Sequence, residues 1–159
     1  MTQDDSAATW ERLVRFHRMT IAAMDTNLRE EFGRSLDDYD VLYQVRSHDG
    51  PIRMGDLAQR LLLANSSCHR IVGRLVEDGL LQRVAGATDR REVWIQLTSA
   101  GKRQWRRMAV THTKDIRRFL GERLSVTELT QLGGTLQRLI DGHNHVLHDG
   151  HDDGRTDRS

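Results

Sequence analysis

MGDLAQRLLLANSSCHRIVGRLVEDGLL, residues 54–81, is the stretch that decides the fold. It reads as two short helices, Met54 to about Leu61 and about Asn65 to Asp78, joined by some three residues and stopped by Gly79. Cys68, Ile71, Val72 and Leu75 fall at i, i+3, i+4 and i+7 and pack inward. The opposite face carries Ser66, His69, Arg70, Gly73 and Arg74: donors, cations and one glycine, with no Leu, Phe or Glu among them. A helix of this width fits the DNA major groove, where arginine reads guanine in a bidentate fork and Asn65, Ser66 and Ser67 would read base edges more loosely. The plainer reading is a solvated helix face, and the residues that follow weigh against it.

Leu80 to Ala85 and Glu92 to Leu97 are β-type runs separated by Gly86-Ala87-Thr88-Asp89, so a hairpin is expected. Its tip carries Arg90 and Arg91, which have little to pack against there. An arginine on such a tip suits the narrow, electronegative minor groove beside a major-groove helix. Helix pair and hairpin together spell a winged helix-turn-helix.

Outward from this centre the chain reads as helix. Trp10, Val14, His17, Ile21, Met24 and Leu28 draw one stripe down a helix ending near Gly33. Ser35 with Asp38 is a capping box opening a second helix, which closes at His48-Asp49-Gly50-Pro51. Thr98 caps a helix carrying Trp105, Met108, His112, Ile116 and Phe119, with Gly121 at its expected end. Ser125 with Glu128 is another capping box, opening a helix with Leu129, Leu132, Leu136, Leu139, His143 and Val146 on one face. The fold class is mainly α with a small β-hairpin wing.

Charge follows the same division. The 159 residues hold 24 Lys+Arg and 23 Asp+Glu, a net +1, which by itself argues against a nucleic-acid binder. Residues 51–107, however, carry 11 basic and 5 acidic side chains, against 6 and 10 in residues 1–50. The positive block coincides with the helix pair and hairpin. With 37% hydrophobic and 5% aromatic residues, the chain is short of core-forming side chains, which implies that a partner subunit supplies burial. One cysteine, Cys68, excludes an intramolecular disulfide and fits a reducing cytosol. Neither a signal peptide nor an apolar run of membrane-spanning length is seen, so a soluble, cytoplasmic protein with no membrane partner is expected.

Asp56-Leu57-Ala58, the run Arg74 to Leu81, Asp89-Arg90-Arg91 and Leu97-Thr98-Ser99-Ala100-Gly101 resemble the multiple-antibiotic-resistance regulator (MarR) family. The Asp-Arg-Arg turn followed by Leu-Thr-x-x-Gly at this distance is the specific part. The resemblance implies a homodimeric regulator whose first and last helices form the dimer interface, whose winged domains bind a pseudo-palindrome in double-stranded DNA, and whose DNA binding a small molecule often weakens. On that basis residues 1–159 form a single domain: dimerisation helices at 10–33 and 125–147, the winged helix-turn-helix at 36–101, a connecting helix at 102–121 and a flexible polar tail at 148–159. Two positions depart from the family's habit. Leu62 replaces a frequent glycine in the turn, and Ala64 replaces a capping serine, so that capping falls to Asn65 and leaves it less free to read a base.

The DNA-contacting set is therefore Asn65, Ser66, Ser67, His69, Arg70, Arg74, Arg90 and Arg91. The resemblance further implies an effector cleft between the dimerisation helices and the winged domain, which Trp10, His17, Tyr39 and Tyr43 would line for a small aromatic or anionic molecule. His17, His112 and His143 sit in apolar stripes. Their spacing selects no metal, and hydrogen-bonded interface histidines are the commoner outcome. Cys68, on the inward helix face, reads as a small buried hydrophobe rather than a redox switch. No nucleophile–base constellation, phosphate loop or metal triad is present, so no enzyme and no cofactor are expected. The reading is a repressor released from its operator by a small molecule; the alternative is a winged-helix module that binds protein.

Overall fold

The computed structural model describes residues 3–85 and 93–149, which fall into two compact units, 1–115 and 116–159. In the first unit, α1 spans Gln3–Phe32. It begins seven residues before Trp10, where the apolar stripe starts. Ala7 and Ala8 are strong helix formers without an apolar pattern, and the acidic residues at positions 4 and 5 complement the positive end of the helix. Burial is confined to its C-terminal half: Thr20, Met24 and Leu28 are covered, whereas Trp10, Leu13, Phe16 and Met19 are exposed.

Gly33, in the left-handed region at φ 65°, turns the chain into α2, Leu36–Ser47. The expected capping box is formed: the Asp38 N–H donates to Ser35 Oγ at 3.1 Å and the Ser35 N–H to Asp38 Oδ2 at 3.1 Å. A third bond ties the helices together, the Leu36 N–H donating to Asp25 Oδ1 of α1 at 2.8 Å. Burial works against the charge on Asp25. The bonds from Arg29 and Leu36 outweigh it and hold this carboxyl below its ordinary pKa.

The remaining elements of the unit are β1 (Ile52–Arg53), α3 (Met54–Arg60), α4 (Asn65–Glu77), β2 (Leu81–Ala85), β3 (Val93–Leu97) and α5 (Ser99–Ile116). The sheet is antiparallel in the order β1-β3-β2, with Leu81 opposite Leu97 and Ala85 opposite Val93. The expected hairpin thus gains a third strand, in which Ile52 pairs with Ile95 and Arg53 with Trp94. Two residues are too few to display alternation, which is why the sequence hides this strand. Leu42, Ile52, Leu57, Ile71, Val72, Leu75, Ile95 and Met108 form the heart of the core.

The second unit holds a π-helical turn, Arg117–Gly121, and α6, Val126–Asp149. The expected connecting helix at 102–121 therefore starts earlier, at Ser99, and beyond Ile116 it continues as a π turn, with the Glu122 N–H reaching the Arg117 carbonyl at 2.8 Å. The Ser125–Glu128 box is present: the Ser125 N–H donates to Glu128 Oε2 at 2.8 Å. α6 continues two residues past Leu147, so residues 148 and 149 of the expected tail are helical, and the rest of that tail lies outside the described residues. Leu132, Leu136, Leu139 and Ile140 are exposed along α6. No described helix is long and apolar enough to cross a membrane.

Candidate nucleic-acid interface

α4 is held on three sides. Its inner face buries Cys68, Ile71, Val72 and Leu75, each 2% exposed or less, as the spacing required. Cys68 Sγ lies 3.9 Å from Met54 Sδ, and burial pushes the thiol pKa up, away from the reactive thiolate.

At its start, α3 closes with the Leu63 N–H on the Ala58 carbonyl at 3.1 Å, the bond pattern of a helix ending in a left-handed residue. That residue is Leu62, at φ 53° and 92% exposed. It occupies the place where glycine would be unstrained. The N-cap of α4 is Ala64, which offers no side-chain cap; Asn65 is the first helical residue and does not cap. The expectation for Asn65 is thus corrected: its position within the helix prevents its amide from reaching back, and its exposed side chain is free of that duty. The open first-turn N–H groups present the positive end of the helix to solvent, a ready anion contact.

At its end, Gly79 (φ 70°) lets the Leu80 N–H return to the Leu75 carbonyl at 2.9 Å. Thr98 then clamps the turn, its Oγ1 donating to the Gly79 carbonyl at 2.7 Å and its N–H to the Leu80 carbonyl at 3.1 Å. The Gly101 N–H donates to Thr98 Oγ1 at 3.0 Å. A Cβ on Gly101 would lie 2.0 Å from the Leu80 carbonyl oxygen, so only glycine permits α5 to start there. This is the physical content of the Leu-Thr-x-x-Gly run: it locks the base of the wing and the start of α5 onto the end of α4.

The outer face carries Ser66, His69 and Arg70, all exposed, with Ser67 and Gly73 half-buried. A Cβ on Gly73 would meet nothing within 4 Å, so no neighbour in the protein requires glycine there. Arg70 has no ion pair among the described residues. Arg74 differs, because its guanidinium pairs with the buried Asp38 of the α2 capping box. Arg34 pairs likewise with Asp78. Two ion pairs thus fasten α4 to the start of α2, and Asp25 fastens that start to α1. Spacing identified Arg74 as an outward cation but gave no hint of Asp38, 36 positions away in the chain. Arg90 and Arg91 lie outside the described residues.

The four effector-cleft residues are not gathered in one hollow. Trp10 lines a concavity with Val14, Arg18 and Met19, and His17 a different one with Ile21, Arg29 and Leu36. Tyr39 is buried under the His112 ring (centroids 4.4 Å apart) and stacks on the half-exposed Tyr43 at 6.3 Å. Sequence reasoning missed a polar seam on α5. Trp105 Nε1, His112 Nδ1 and Asp115 Oδ2 are buried without a hydrogen-bond partner, while Asp115 Oδ1 accepts from Asn27 Nδ2 at 2.8 Å. Steps of seven and three place these side chains on one face of α5, a signal hidden by their differing chemistry. Burial pushes the His112 pKa down, against the pull of Asp115. Among the described residues, no group of three or more His, Cys, Asp or Glu side chains is arranged to hold a metal.

A helix pair whose second helix is anchored inward and open outward, followed by a small antiparallel sheet and its wing, defines a winged helix-turn-helix protein. Residues 32–92 match the MarR family. Over 91% of this chain, the structure is similar to that of AbsC, a MarR family transcriptional regulator from Streptomyces coelicolor, with 25% identity, 97% of that chain covered and a TM-score of 0.81. A second MarR family regulator from Streptomyces coelicolor, solved in complex with DNA, is similar over 89% of each chain, with 22% identity and a TM-score of 0.82. CouR from Rhodococcus jostii RHA1, bound to p-coumaroyl-CoA, is 25% identical and covers 87% of this chain and 95% of its own, with a TM-score of 0.75. No curated protein sequence matches the chain. Residues 32–92, from the end of α1 into the hairpin, are thus similar to the MarR family, and the fold is that of MarR family regulators over most of the chain.

Proposed function

We propose that the protein is a DNA-binding transcriptional regulator that acts in the cytoplasm by binding rather than by catalysis, as a homodimeric repressor on a pseudo-palindromic operator. The observation that carries the proposal is the outer face of α4: exposed donors and an Arg70 without an ion pair among the described residues, on a helix whose inner face is buried. In this reading Arg70, His69, Asn65, Ser66 and Ser67 face base edges, and the uncapped helix start takes a phosphate. Arg74 contributes mainly by orienting the helix through Asp38. Arg90 and Arg91 enter the minor groove from the wing.

The exposed apolar stripes of α1 and, separately, of α6 are the surfaces a second copy would cover. Two-fold pairing would set the recognition helices roughly 34 Å apart, one turn of DNA. For the effector, an aromatic anion stacking on Tyr43 and engaging the polar seam of α5 at His112 fits the geometry better than a cleft built on Trp10 and His17. Recovery of bound fragments from source genomic DNA tests the main reading. A shared two-fold motif is the expected result, and recovery without sequence enrichment would overturn it.

A further inference from the structure

At the end of the sheet opposite the wing tip, α2, β3 and the start of α5 enclose a hollow of about 320 Å³ lined by Val45, Arg46, His48, Gly50, Gln96, Leu97, Lys102 and Arg106. Its charge is one-sided. Arg46, Lys102 and Arg106 converge on it, His48 stands beside them, and no carboxylate lines it; Asp49, next in the chain, is exposed but is not part of the wall. Like charges so arranged repel, and Lys102 and Arg106, four apart on one helix face, do so directly. Three other arginines of this unit do have acids: Arg29 has Asp25, Arg34 has Asp78 and Arg74 has Asp38.

The walls are also held in place. The Arg46 guanidinium lies over the Trp105 ring, 5.7 Å from its centroid. His48 Nδ1 faces the Gly50 carbonyl at 3.2 Å. Lys102 belongs to the first turn of α5, whose positive end adds to the field. Val45 and Leu97 supply an apolar floor, so the hollow combines a cationic rim with space for a compact organic body.

We propose that this hollow is a binding site for a small phosphate-bearing molecule, its dianionic head gripped by Arg46 and Arg106 and balanced by Lys102. Guanidinium groups pair with phosphate oxygens in a planar fork, and three cations match a dianion better than a single carboxylate. The site lies within the winged domain, is lined by neither α1 nor α6, and does not depend on the effector reading at Tyr43. Gln96 and Leu97 pair with Gln82 and Leu81, at the end of the hairpin far from its tip, which separates the hollow from the wing that would face DNA.

Pyrophosphate, titrated into the full chain by calorimetry with sulfate as the comparison anion, tests the proposal. Saturable binding in the millimolar range or tighter is expected, weakened at least about tenfold in Arg46→Gln and Arg106→Gln and unchanged in Arg12→Gln on α1. A DNA backbone offers the same phosphate chemistry, so both variants are also measured against a mixed-sequence duplex without added phosphate. Unchanged duplex affinity is expected. Absence of pyrophosphate binding, binding indifferent to both substitutions, or loss of duplex affinity with a shallower salt dependence would each overturn the proposal, the last by assigning these cations to DNA.

Discussion

Two residues carry most of the local geometry, and both can be tested alone. Leu62 holds a left-handed conformation that costs a leucine about 1–2 kcal/mol, and its exposed side chain gives little packing in return. Leu62→Asn is expected to raise stability by about 0.5–1 kcal/mol in urea unfolding, because asparagine tolerates this region; a loss would show that the exposed leucine has a role the strain argument misses. Gly101 is the opposite case. Gly101→Ala drives a methyl into the Leu80 carbonyl and is expected to cost about 3 kcal/mol or more, read by thermal unfolding. The sequence shows Gly101 as part of a motif, yet its reason appears only when α5 and the end of α4 are brought together. Leu62 is legible as a departure from the resembled family, whereas its strain is a backbone property no spacing reveals.

At the scale of elements, the sequence is most informative where a pattern is local. The inward face of α4, both capping boxes and the β2–β3 pair were legible because each is written within one turn or one hairpin. The Arg74–Asp38 pair was not, because its partners lie far apart in the chain; β1 was too short to show a pattern, and the polar seam of α5 was hidden by the differing chemistry of its members. The Arg74–Asp38 pair makes the orientation of α4 depend on α2. Asp38→Asn keeps the shape of the capping box but removes its charge, and is expected to cost about 1–3 kcal/mol in urea unfolding and to weaken DNA binding without touching the DNA-facing surface.

α2 also holds a pH-sensitive group. Burial, with help from nearby Asp37, pushes the Asp40 carboxyl up to about 6. The folded state therefore holds this proton more tightly than the unfolded chain does. The stabilisation is complete below the ordinary pKa of 3.8 and is lost as pH rises through about 6. Asp40→Asn is expected to be about 1–3 kcal/mol more stable than the native chain at pH 8 and nearly equal to it at pH 4, measured by urea unfolding at both values.

Across the whole molecule, the net charge of +1 conceals a division of labour. The excess of cations falls in residues 51–107, the segment that contains α4, while the flanking segments are acidic on balance. A dimer built this way would have modest nonspecific attraction to DNA and would depend on a few side chains for specificity. The exposed leucines of α6 supply a separate test of assembly. If the chain pairs as proposed, Leu136→Glu with Leu139→Glu is expected to leave it monomeric in sedimentation velocity; a monomeric native chain, or a dimer indifferent to these changes, would exclude α6 as an interface.

In the proposed function Arg70, an exposed residue of α4 that has no ion pair among the described residues, carries the reading of DNA. The most direct measurement is the affinity of Arg70→Ala for a genomic fragment that the native protein selects, at fixed salt, alongside its thermal unfolding and oligomeric state. A loss of about tenfold or more with folding and assembly unchanged is the expected result, in line with roughly 1–3 kcal/mol for a bidentate arginine–guanine contact. Unchanged affinity for that fragment would contradict the assignment of α4 as the helix that reads DNA.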